Sequence, residues 1–137
     1  MKKILFVTGT RADFGKLEPL AKASICAGSK VGFFVTGMHM MSKYGGTNWE
    51  VKNVVEADIF EFVNQKEGDT LDSILSKTIM GFSDFVHEHR PDLVIVHGDR
   101  IEATAISLVC ATNYIYSAHI EGGEISGTID ESLRHCN

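Results

Sequence analysis

The chain has 137 residues, 44% of them hydrophobic and 23% charged, with a formal net charge of −5. That is the composition of one ordinary globular domain, and its interspersed acids and bases argue against a general nucleic-acid or membrane-surface binder. An anionic ligand must then be met by a local group of cations. The apolar runs are far too short to span a bilayer. "ILFV" after Lys2-Lys3 is too short for a signal peptide, and Arg11 and Asp13 follow soon after. Cys26, Cys110 and Cys136 show no CxxC spacing, which points to buried or neutral thiols in a reducing cytoplasm.

In chain order, "KILFVT" (3–8) predicts a first strand, apolar throughout as a strand covered on both faces should be. A glycine-bearing loop, Gly9 to Gly15, leads to a helix near 16–27 that Gly28 ends. "KVGFFVTG" (30–37) predicts a second strand, a short helix is expected around 48–55, and "DIFEFV" (58–63) predicts a third strand. Residues 70–89 form the clearest helix: Leu71, Ile74, Leu75, Ile79, Phe82, Phe85 and Val86 make one apolar stripe. Pro91 stops it. A strand at 92–98, a helix at 101–112, a strand at 114–121 and a last helix opening at Asp130 complete the pattern. Alternating strands and helices imply right-handed crossovers: an α/β fold, a doubly wound parallel sheet with helices on both faces. Ligands of such sheets bind beyond the carboxyl ends of the strands, where strand order reverses.

Three loops therefore matter. "GTRADFGKL" is not a phosphate-binding P-loop: five residues separate Gly9 and Gly15, and Leu17 stands where Ser or Thr would hold magnesium. It also lacks the GxGxxG fingerprint. Its helix N-terminus favours an anion, and Arg11 offers a planar donor fork for a diphosphate; a tight turn with a solvated arginine is the plainer account. In "VHGDR", Asp99 and Arg100 emerge at the crevice, although an Asp before a helix is first of all an N-cap. His97-x-Asp99 and His119-x-Glu121 have donors that suit zinc or manganese, at a spacing that is a weak signal. His87 and His89 read as a solvated helix end. In "HIEGGEISGTIDESLRH" (119–135), Gly122-Gly123 and Gly127 turn the backbone around something, and Glu121, Asp130 and Glu131 cluster there. Clustered carboxylates raise one another's pKa values, which costs stability unless acid/base work or a cationic partner needs them. The plainer account is a solvated acidic loop.

Together, "VTGTRADFGKLEPL", "PDLVIVHGDR" and "HIEGGEISGTIDESLRH" resemble the N-terminal portion of hydrolysing UDP-N-acetylglucosamine 2-epimerases of the bacterial sialic-acid type. The resemblance runs through essentially the whole chain. "HGDR" and "IEGGEISG" differ from the "HGDT" and "VEAGLRTG" of non-hydrolysing relatives. The resemblance implies two Rossmann-like domains in a GT-B-type arrangement, with this chain as the N-terminal one and the uridine pocket and a further catalytic histidine on the other. It implies anti elimination of UDP from UDP-N-acetylglucosamine, or a related UDP-acetamido sugar, followed by hydration to a free N-acetylmannosamine-type sugar for sialic-acid-type biosynthesis. By position, Asp99, Glu121 and Glu131 match the catalytic carboxylates, with Asp130 as alternate for Glu131. Arg11, Gly15 and Arg100 match diphosphate-side contacts, and His97 and His119 flank the acids. No metal or other cofactor is implied. A homo-oligomer is expected, and the chain by itself is expected to be inactive. Two other readings stand beside this one: a small metal-dependent hydrolase using His97, Asp99, His119 and Glu121, and a non-catalytic nucleotide-binding module.

Overall fold

The computed structural model describes residues 2–9, 11–37, 57–64, 68–98 and 100–120, with the backbone alone for residues 11–13. The elements run β1 (Lys3–Thr8), α1 (Arg11–Cys26), β2 (Lys30–Val35), β3 (Ala57–Glu61), α2 (Leu71–His89), β4 (Leu93–His97), α3 (Ile101–Thr112) and β5 (Tyr116–Ile120). The strands form one sheet in the order β3-β2-β1-β4-β5, each neighbour parallel. This is the doubly wound α/β sheet that the alternation predicts.

Strand alternation explains how both faces fill. Leu5 and Val7 of β1 join Phe82 and Val86 of α2 and Ile106 and Val109 of α3. Phe6, between them, points the other way and joins Phe14, Leu17 and Ala21 of α1. β1 is therefore apolar at every central position because each of its faces carries helices. The chain steps outward from β1 to β2 and β3, then returns past β1 to β4 and β5. Order reverses between β1 and β4, and the helices that follow these two strands pack on opposite faces. That divergence opens the crevice.

α2 buries Ile74, Thr78, Phe82 and Val86 at four-residue steps, so its stripe is the predicted one with a threonine within it. The Thr78 hydroxyl donates to the Ile74 carbonyl at 2.7 Å, which satisfies it inside the core. Leu71, expected in the stripe, is half exposed at the helix start. Phe82 meets Phe34 edge-on at 5.1 Å. The helix ends at Arg90, in the left-handed region with φ 43, whose N–H reaches the Val86 carbonyl at 2.9 Å. Pro91 follows and disfavours helical dihedrals in the residue before it.

Several boundaries differ from expectation, among them the end of β3, at Glu61 instead of 63. α1 begins at Arg11, five residues before the expected start, so most of the expected Gly9–Gly15 loop is helix. Phe14 is buried and meets Phe33 edge-on at 5.7 Å, and that contact outweighs the breaking tendency of Gly15 and Pro19. Pro19 cannot donate to the Gly15 carbonyl, but both residues are solvent-exposed, so water can take that bond. β2 stops at Val35, before Gly37 turns with φ 62. β5 starts at Tyr116 because Tyr114, at φ 57, lies in the left-handed region and cannot continue a strand. His89 is also not a solvated helix end: its ring stacks on Phe85 at 4.5 Å and packs on Phe60 at 4.7 Å, while His87 is exposed as expected. The helices expected at 48–55 and from Asp130 lie outside the described residues.

Candidate functional site

The loops after β1, β4 and β5 leave the sheet at its carboxyl edge, on either side of the point where strand order reverses. Between β1 and β4 a small recess of about 10 Å³ is lined by Val7, Gly9, Val96, His97, Arg100, Glu102 and Ala103. That is room for about one water. A larger cavity of about 80 Å³ lies at the opposite, amino edge, beside Gly32, with Phe60, Phe85, His89 and the Lys30–Asp58 ion pair in its walls. Doubly wound sheets bind ligands at the other edge, so the candidate site is the smaller recess.

The backbone around the recess is tightly drawn. Gly98, at φ 81, turns the chain out of β4, and its N–H donates to the Ile120 carbonyl at 3.0 Å. His119 Nε2 donates to the Gly98 carbonyl oxygen, which can only accept. That bond ties the end of β5 to the β4 turn. On the β2 side, Gly37 has φ 62, and a Cβ there would sit 2.8 Å from the Gly9 carbonyl and 2.7 Å from Glu102 Oε1. Glycine is required by both conformation and space. The Gly37 N–H donates to Asn64 Oδ1 at 2.9 Å, and Asn64 Nδ2 donates to Thr78 Oγ1 at 2.9 Å. This buried chain of bonds fastens the loop after β2 to the middle of α2.

Among the residues singled out from sequence, the structure brings His97 and Arg100 to one recess and sets His119 next to its turn. Gly15 lies in the second turn of α1, exposed, with open space where a Cβ would stand. Arg11 opens α1, its side chain outside the described set. Asp99, Glu121, Asp130 and Glu131 lie outside the described residues. The expectation that Asp99 is the N-cap of the following helix is corrected in position: the N-cap of α3 is Arg100, one residue later, and its own side chain makes no capping hydrogen bond. Gly98 makes the turn, and helical dihedrals begin only at Ile101.

Register also separates the two histidines of the metal hypothesis. His97 pairs with Ile120, which belongs to the α1 face, and His119 pairs with Val96, which belongs to the α2–α3 face. Side chains on opposite faces of a sheet do not share a coordination sphere. Among the described residues, no group of three or more His, Cys, Asp or Glu could hold a metal ion. No helix among them is long and apolar enough to cross a membrane.

Sequence reasoning missed Glu102. It is 4% exposed, with both carboxylate oxygens buried and without hydrogen bonds, and its Oε2 lies 3.5 Å from Arg100 Nε. The signal was available: Glu102 is the only charge in the otherwise apolar or small-polar helix "IEATAISLVCAT". A lone charge in a buried helix needs a reason.

Residues 26–137 match the family described as UDP-N-acetylglucosamine 2-epimerase. A UDP-N-acetylglucosamine 2-epimerase of Neisseria meningitidis serogroup B is 46% identical over 136 residues, which cover 98% of this chain and 36% of that protein. A UDP-N,N'-diacetylbacillosamine 2-epimerase (hydrolyzing) of Legionella pneumophila is 33% identical over 98% of this chain and 37% of its own length. The chain thus spans little more than a third of these relatives. In fold it is similar to the crystal structure of a Neisseria meningitidis UDP-GlcNAc 2-epimerase bound to UDP-GlcNAc, with a TM-score of 0.81 at 24% identity, covering 98% of this chain and 37% of that one.

Proposed function

We propose a function from one established premise: the chain belongs to the UDP-N-acetylglucosamine 2-epimerase family. In this reading it is the first Rossmann-like domain of a hydrolysing enzyme, and its carboxyl edge is one wall of the active site. The family match carries the reading. Support for the hydrolysing branch comes from the "HGDR" and "IEGGEISG" motifs and from the Legionella relative, whose name includes that reaction.

The C2 proton of the sugar is scarcely acidic, so cleavage of C1–O must lead. Its electron pair leaves with UDP, and positive charge grows on the ring. Asp99 or Glu131 stabilises that charge as a nearby anion. Glu121 takes the C2 proton as general base, and the C–H pair becomes the C1–C2 double bond. Water then adds its hydroxyl to C1, and a proton returns to C2 on the opposite face, giving the 2-epimer as free sugar. Arg11 and Arg100 hold the diphosphate, whose planar recognition by guanidinium groups is stronger than by ammonium groups. Asp130 is the alternate for Glu131 in this role. No step calls for a metal.

The test is Glu121→Gln in the full-length protein, with release of UDP and of the 2-epimeric sugar followed together. Size is kept and basicity lost, so turnover should fall by about two orders of magnitude or more. Near-normal turnover in a folded variant discards the role of Glu121. Tight UDP binding by the wild type without any turnover would leave a nucleotide-binding module instead.

A further inference from the structure

Glu102 has no role in the reading above, yet it lines the recess with its carboxylate buried. A buried carboxylate without donors is destabilising unless a charge faces it. Its place in the first turn of α3 offers part of the compensation, because the helix N-terminus favours negative charge. That account leaves both oxygens without hydrogen bonds. The facing charge is Arg100, whose Nε is also buried and without a hydrogen bond at 3.5 Å from Oε2. Arg100 is the N-cap, so its backbone is held by the helix: the Ala103 N–H donates to its carbonyl at 3.0 Å. Glu102 is hemmed in by Gly37 and Gly9, and the absence of a Cβ at Gly37 is what makes room for it.

We infer that Glu102 is a positioning residue: it holds Arg100 by the Nε edge of the guanidinium and so turns the Nη edge toward an anionic ligand, of diphosphate class, at the carboxyl edge. A guanidinium has five N–H donors in a fixed plane. The ion pair on the Nε side restrains the guanidinium plane and lowers the freedom that the ligand would otherwise have to remove. The buried carboxylate also keeps the arginine from turning out into solvent, where its side chain is already one-third exposed. This inference rests on the reading of Arg100 as a diphosphate contact.

The experiment is a double-mutant cycle on the full-length protein, with UDP affinity measured by calorimetry. Glu102→Gln is isosteric and removes the charge. It should weaken UDP binding about tenfold, the equivalent of 1.4 kcal/mol, and should have less than about a twofold effect when Arg100 is already alanine. A purely structural role for Glu102 predicts the same loss in both backgrounds, and that result overturns the inference, as does unchanged affinity in Glu102→Gln alone. Should Glu102→Gln not fold, Glu102→Asp keeps the charge but draws it away from Nε, and the same cycle with the same expectation applies. Additive losses with UDP binding intact sink the positioning role alone. A wild type that binds neither UDP nor inorganic pyrophosphate sinks the diphosphate reading of the site, and this inference with it.

Discussion

Cys110 shows how burial by itself sets the chemistry of a residue. It is fully buried on the inner face of α3, and burial pushes its thiol up from 9.0 to about 11. Cys26, at the end of α1, is exposed. At pH 8 iodoacetamide should therefore modify Cys26 and spare Cys110 until the protein is denatured, as peptide mass mapping would read directly. The same shift makes stability fall in alkali. The unfolded thiol loses its proton near pH 9, whereas the folded one keeps it until about 11. The folded state thus binds more protons in that window, and its stability declines as pH rises through it. Between pH 8.5 and 10.5 the wild type should lose about 1–2 kcal/mol more than Cys110→Ala in urea denaturation, on the scale of about 1.4 kcal/mol per pH unit. Equal losses would mean that the thiol is not the group responsible.

α2 illustrates how an element answers to its neighbour. Gly81 sits mid-helix, where glycine normally weakens the helix by about 1 kcal/mol relative to alanine. Here a Cβ would meet the Phe62 ring at 2.2 Å. That ring is partly buried and stacks on Phe34 at 5.9 Å, so it has little freedom to retreat. Overpacking of this kind is typically worth about 1–3 kcal/mol. Gly81→Ala should therefore destabilise by about 1–2 kcal/mol net, and adding Phe62→Leu should reverse the sign by opening space. Urea denaturation of the two variants decides it: a stabilised single variant would show that the Phe62 ring yields. The glycine thus marks where α2 approaches the chain leaving β3, just before Asn64 pins the β2 loop.

At the scale of the molecule, the 137-residue chain spans little more than a third of the length of its relatives. In the proposed enzyme the uridine pocket and a further catalytic histidine belong to the second domain. The 137-residue chain alone should then fold, because α1, α2 and α3 lie in sequence between the strands they cover. It should release no measurable free sugar from UDP-N-acetylglucosamine. Release of N-acetylmannosamine by this chain, abolished by Glu121→Gln, would show that one wall suffices. Association is expected too, since Ile95 and Ile120 are only partly buried and Tyr114 and Tyr116 are 96% and 82% exposed beside the outer strand.

The strands, the long α2 helix and the limits of α3 were legible in the sequence, and so was the class of the sheet. Apolar runs, a four-residue stripe and Pro91 act within a few residues of where they stand, and local sterics reads them the same way in any fold. That the turns after β1 and β4 lie at the carboxyl edge followed from that alternation. The early start of α1 was not legible, because Gly15 and Pro19 speak locally against helix while Phe14 finds Phe33 only once β2 lies alongside. Nor was the division of His97 from His119, which depends on the register between β4 and β5. Glu102 belongs to the same class: its charge is written in the chain, but its burial against Arg100 exists only when Gly9, Gly37 and α3 converge. Element type is a short-range property of the backbone, whereas which side chains meet is decided by pairings between residues far apart in sequence, and only the assembled sheet makes those.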